Sequence, residues 1–152
     1  MSPCTITRIA ALGLAAAGLA TAAAVVPATA AAKPPVYRSP IAFGAIQYDS
    51  PGRDDRSQRS LNAEWVTVTN SSRSAVNLKG WTLTDRSHHT YTFHNLRLAA
   101  HQAVRVHTGI GRDTGRDVYQ DRRDYVWNNN GDTATLRDNH GHIAAARSWG
   151  RR

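Results

Sequence analysis

Five oxygen-bearing side chains crowd one glycine in "WNNNGDTATLRD", residues 127–138: Asn128, Asn129, Asn130, Asp132 and Asp138 stand around Gly131. Hard oxygen donors at close spacing are what a calcium loop supplies. The familiar loop, however, alternates acidic oxygens and closes on a bidentate Glu. Here positions 128 and 130 are Asn, and no Glu follows. Asn-Gly-Asp is also the composition of a tight turn, because Asn130 or Gly131 can take positive φ, and "TATL" begins a strand at once. The segment is expected to be a structural corner rather than a metal site.

The remaining reactive side chains assemble no catalytic set. His88, His89, His94, His101, His107, His140 and His142 are spread over several turns, and most are expected to face solvent. A zinc cage needs three or four converging ligands, and apart from Cys4 the chain has no Cys and only one Glu, Glu64. No G-x-S-x-G is present, and the serines gather in turns such as "NSSRS", where Ser bonds its local backbone. Asp113, Asp117, Asp121 and Asp124 come nearest to a metal-dependent nuclease cluster, but Arg112, Arg116, Arg122 and Arg123 alternate with them. No metal, cofactor or catalytic residue is assigned.

The same loop suits polyanion binding better. Arg112, Arg116, Arg122 and Arg123 offer guanidinium groups for phosphate, and Tyr119 and Tyr125 offer rings for stacking. The four Asp residues cancel much of that field. Lys33, Arg38, Arg147, Arg151 and Arg152 form a second basic group at the chain ends. Of the four tryptophans, Trp81 lies beside Leu83 and is expected in the core. Trp65 is set opposite Val66 and Val68 and is the ring to look for on the surface.

The elements that must position these groups follow an N-terminal leader. A single positive charge at Arg8, an uncharged apolar run over 9–26 and the small residues of "PATAAA" make a secretory signal, cut after Ala30 or Ala32. Cys4 precedes the apolar run, so the exported chain is expected to be cysteine-free, held by its core alone, and without a transmembrane segment once the signal is removed. About 120 residues remain, enough for one small domain. Loss of Arg8 leaves 18 basic residues against 11 acidic, a formal charge of +7. That excess favours nucleic acid, anionic wall polymers or membrane surfaces as partners. Of the 19 basic residues in the whole chain 17 are Arg, a bias that a GC-rich genome also writes.

Residues 31–40 are Pro-rich and read as an extended linker. Beyond them, "IAFGAIQY" reads as a first strand and residues 49–60 as an exposed loop. "EWVTVTN", "VNLKGWTLTD", "HTYTFHNLRL" and "AVRVHTG" all alternate apolar and polar residues with the two-residue period of strands. Gly80 interrupts its strand and marks a bend where the chain changes sheet. Residues 109–125 read as a long loop with room for one turn of helix. "TATLRD" and "IAAARSW" flank "NHGH" as a closing hairpin. Some seven short strands with regular turns predict an all-β, immunoglobulin-like antiparallel β-sandwich with Greek-key connections.

Two blocks in order, "LKGWTL" (Leu78, Gly80, Trp81, Leu83) and "WNNNGDTATL" (Trp127, Asn128, Asn129, Gly131, Asp132, Leu136), with "YTF" and "VRVHTG" between them, resemble the lamin tail domain of exported bacterial type. The resemblance covers about residues 41–149. It departs from the common bacterial "WNNDGD" at Asn130. It implies an immunoglobulin-like module without catalytic residues of its own, making protein contacts in lamins and accompanying secreted nucleases and other hydrolases in bacteria. The expected role is therefore a secreted, non-enzymatic module that binds an extracellular protein or cell-envelope polymer. Binding of nucleic acid or another polyanion is the alternative, and a small secreted nuclease or hydrolase the remote one.

Overall fold

The computed structural model describes residues 38–150; the leader, most of the Pro-rich stretch, and Lys33, Arg151 and Arg152 of the chain-end basic group lie outside them. Alternation does in space what it does in sequence. In β2 (Trp65–Asn70) the residues Val66, Val68 and Asn70 are buried, while Trp65, Thr67 and Thr69 are half-exposed. In β7 (Ala103–His107), Val104 and Val106 point inward and Ala103 and Arg105 outward. Each strand thereby gives one row to a core and one to the outside.

The first sheet runs in the order β1 (Ile41–Gln47), β2, β7, β8 (Asp117–Tyr119). The second runs β10 (Ile143–Gly150), β9 (Gly131–Arg137), β4 (Thr82–Thr84), β5 (Thr90–Thr92). A two-stranded ribbon joins β3 (Val76–Asn77) to β6 (Arg97–Leu98). Neighbours pair antiparallel except β7 and β8, which are parallel. One hydrophobic cluster fills the space between the sheets: Ile41, Phe43, Val66, Val68, Val104, Val106 and Val118 from the first, Leu83, Ala134 and Leu136 from the second. Trp81, Phe93 and Trp127 close it from the connections. The chain is an all-β, immunoglobulin-like sandwich whose successive strand pairs cross between sheets.

Gly80 is the bend the sequence marked. Its φ is +79°, and the strand pattern on either side divides between the ribbon (β3) and the second sheet (β4). "HTYTFHNLRL" also divides, into β5 and β6, with Tyr91 and Phe93 in edge-to-face contact at 5.0 Å.

Two expected loops carry structure that pattern alone did not reveal. Residues 49–60 end in a helix, α1 (Gln58–Ala63), capped by Ser57, whose hydroxyl accepts from the Ser60 amide at 3.2 Å. One buried apolar residue, Leu61, is all that α1 shows to a periodicity search. Ser50 and Ser60 are buried beneath the same loop. The stretch 109–125 forms no helix; its single inward Val118 pairs with Val106 and makes β8.

Candidate binding face

"WNNNGDTATLRD" resolves into a set of turn locks. Asp132 is buried, and its two oxygens accept from the backbone amides of Arg86 (2.9 Å), Asn128 (3.0 Å) and Thr133 (2.7 Å). Asn128 Oδ1 takes the Asn130 amide at 3.0 Å, and the Asn128 carbonyl accepts from the Trp149 indole at 3.0 Å. Asp138 closes the last hairpin by accepting from the amides of His140 and His142. The oxygens of Asn128, Asp132 and Asp138 are spent on backbone donors, which pull the chain around this corner, while Asn129 donates through its amide to Asp49 at 3.0 Å.

Histidines follow the same economy. His88, His94, His101 and His140 are exposed, and His89 and His142 lean on Asp85 (2.7 Å) and Asp138 (3.1 Å). His107 is buried, stacked on Tyr119 at 5.0 Å, and bonded to the Asn62 carbonyl (2.7 Å) and to Asp117 (2.9 Å). It lies outward on β7 like Arg105, but α1 and Tyr119 cover it. Among the described residues, no three His, Cys, Asp or Glu side chains gather as metal ligands.

Arg112, Arg116, Tyr119, Arg122, Arg123 and Tyr125 do not form one patch. The Tyr119 ring is taken by His107, and the Tyr125 hydroxyl by Ser60 Oγ at 2.6 Å. Arg122 donates to the Thr90 carbonyl at 3.2 Å and, with Arg123, Asp121 and Asp124, lines a cleft of about 560 Å³ beside β5. In that cleft Asp124 is held by Arg56 at 2.9 Å, a hydrogen bond that keeps its carboxyl below the usual range. Arg112 is exposed.

Arg116 alone joins a second set of residues, on the outer face of the first sheet. There Gly44, Trp65, Thr67, Thr69, Arg105 and Arg116 line a shallow groove of about 520 Å³. Pairing sets Thr67 opposite Arg105 and places Trp65 diagonal to it, and the Arg105 guanidinium lies 4.7 Å from the centre of the Trp65 ring. The Arg105 amide donates to the Arg116 carbonyl at 2.8 Å, so the two arginines are backbone neighbours. Gly44, at the bulge of β1, leaves the floor open: a Cβ there would stand 3.1 Å from the Thr67 methyl.

The electrostatics of this face are one-sided. Among the described residues, the ion pairs are Arg56–Asp124 and the three His–Asp contacts, so Arg105 and Arg116 have no carboxylate partner. Asp117 lines the groove as well, but its carboxylate bonds His107. Sequence reading missed Arg105. The signal was present in "VRV", whose two buried valines force the arginine onto the face that Trp65 occupies.

One buried carboxyl lies behind this region. Glu64 is 1% exposed, and its Oε1 accepts from the Thr108 hydroxyl (2.6 Å) and the amides of Val126 (2.9 Å) and Trp127 (3.0 Å), while Oε2 has no partner. Burial pushes its pKa up to about 7 against those three donors. It ties the start of β2 to the segment that follows β8.

No helix among the described residues is long and apolar enough to cross a membrane. A search of curated proteins returns no match. The family model described as Lamin Tail Domain matches residues 37–151, which takes in both sheets, the corner at Gly131 and the outer face built on Trp65. The chain belongs to the lamin tail domain family.

Proposed function

We propose that this protein is an exported, non-catalytic module that holds another extracellular or cell-envelope macromolecule on the outer face of its first sheet. Export rests on the leader: a charged start, an apolar run and small residues at the cut. The observation that carries the binding role is the face itself. A half-exposed tryptophan under an arginine, beside a second arginine without a counter-charge, lies on a four-stranded sheet. Aromatic and arginine side chains on a rigid surface are what interfaces use as anchors.

Three of the four acidic residues of the 109–125 loop are dispersed in structural duties, which supports the non-enzymatic reading. Asp113 accepts the Tyr119 amide, Asp117 holds His107, and Asp124 holds Arg56. The test is co-sedimentation of the purified full chain with insoluble cell envelope from its own source, run with hydrolase assays on DNA and RNA. Retention without turnover is the expected result. DNA or RNA hydrolysis lost on Asp121→Ala/Asp124→Ala would sink this reading, and so would failure to sediment at any salt.

A further inference from the structure

We infer that the groove around Trp65, Arg105 and Arg116 takes a carboxylated sugar chain, a polysaccharide carrying uronate residues. This rests on the binding-module reading above and narrows it to one ligand chemistry.

Three features of the face select that chemistry. The Trp65 ring is half-exposed and lines the groove, with the Arg105 guanidinium over one of its faces, and so supplies apolar surface of the kind against which the C–H face of a pyranose packs. Arg105 and Arg116 supply two planar forks that match a carboxylate. Neither is neutralised by a carboxylate among the described residues, so an incoming anion replaces solvent and not an existing ion pair. Thr67 and Thr69, two residues apart on one face of β2, add hydroxyls on the groove wall, donors and acceptors suited to sugar hydroxyls.

Size and charge weigh against a nucleic acid here. The groove, about 520 Å³, suits a few sugar rings. A single strand would need a run of stacking rings and a longer basic track. The face presents one ring and two arginines, and its other aromatic neighbour, Tyr119, is stacked on His107.

The test uses the purified full chain and an oligogalacturonate of several residues, followed by calorimetry. Saturable binding is expected, weakening severalfold as salt rises from about 50 to 500 mM. Arg105→Ala and Arg116→Ala should each weaken binding by about tenfold, while unfolding midpoints stay unchanged because both side chains are exposed. Arg105→Lys should recover part of the loss, by keeping the charge without the planar stack. The methyl-esterified oligomer, with its carboxylates masked, should bind at least tenfold more weakly.

Equal binding of the methyl ester, or no loss in the Arg105→Ala/Arg116→Ala variant, would overturn the inference. So would tighter binding of an oligothymidylate lost in that same variant. If the chain sediments with envelope but oligogalacturonate neither binds nor competes, the sugar chemistry fails while the module reading stands.

Discussion

At the scale of single residues, the side chains that look most reactive in this sequence are the ones that shape its turns. Asp132 shows why: an acid beside Asn and Gly can serve a cation or a cluster of amides, and sequence does not distinguish the two. Three amides within 3.0 Å decide for the second. Asp132→Ala should therefore lower stability by about 2 kcal/mol, since a buried carboxylate that accepts three part-buried hydrogen bonds is lost, as read from urea unfolding. Added calcium should leave the wild-type midpoint unchanged. The turn expected from Asn-Gly-Asp is present, with Gly131 at φ +151° and Asn128 Oδ1 accepting from the Asn130 amide. Composition pointed past Arg105, because an arginine between two valines reads as a strand residue until β2 and β7 are paired.

At the scale of elements, Glu64 and Gly80 join pieces that the pattern shows separately. Glu64 is protonated in the folded chain up to about pH 7, whereas its ordinary value is 4.5, so burial makes the folded state hold a proton that the unfolded chain releases. Its contribution is fully present below pH 4.5 and is lost as pH rises through 7, by about 3 kcal/mol in all. Glu64→Gln should flatten this slope between pH 5 and 7.5 in urea midpoints, although its amide costs some stability at every pH. A slope unchanged by the substitution would assign the pH dependence to other groups. At Gly80, φ of +79° makes Gly80→Ala cost about 1–2 kcal/mol. The alternating strands and the Gly80 bend were legible in the sequence because hydrophobic period and glycine carry them. Helix α1 and strand β8 were not, since each rests on one inward residue, Leu61 or Val118, whose burial depends on distant partners.

At the scale of the whole molecule, a cysteine-free core and an outer sheet face suit a module that works by contact. The fold was readable from two motif blocks and from strand alternation. The site was only half readable: the six arginines and tyrosines of the 109–125 segment are adjacent in sequence, yet β8 sends Arg116 to one face and Arg122 and Arg123 to another. Net charge follows the same division. Exposed arginines spread over the surface should give weak, salt-sensitive attraction to any polyanion, while the proposed role places specificity in the Trp65 face. Arg122→Ala/Arg123→Ala should reduce nonspecific retention on heparin, lowering the eluting salt, without altering envelope binding. The most direct measurement is an amide chemical-shift titration of the full chain with solubilised envelope polysaccharide. Shifts concentrated at Gly44, Trp65, Thr67, Arg105 and Arg116 are the expected result; shifts confined to residues 120–125, or none at saturating ligand, would contradict the account.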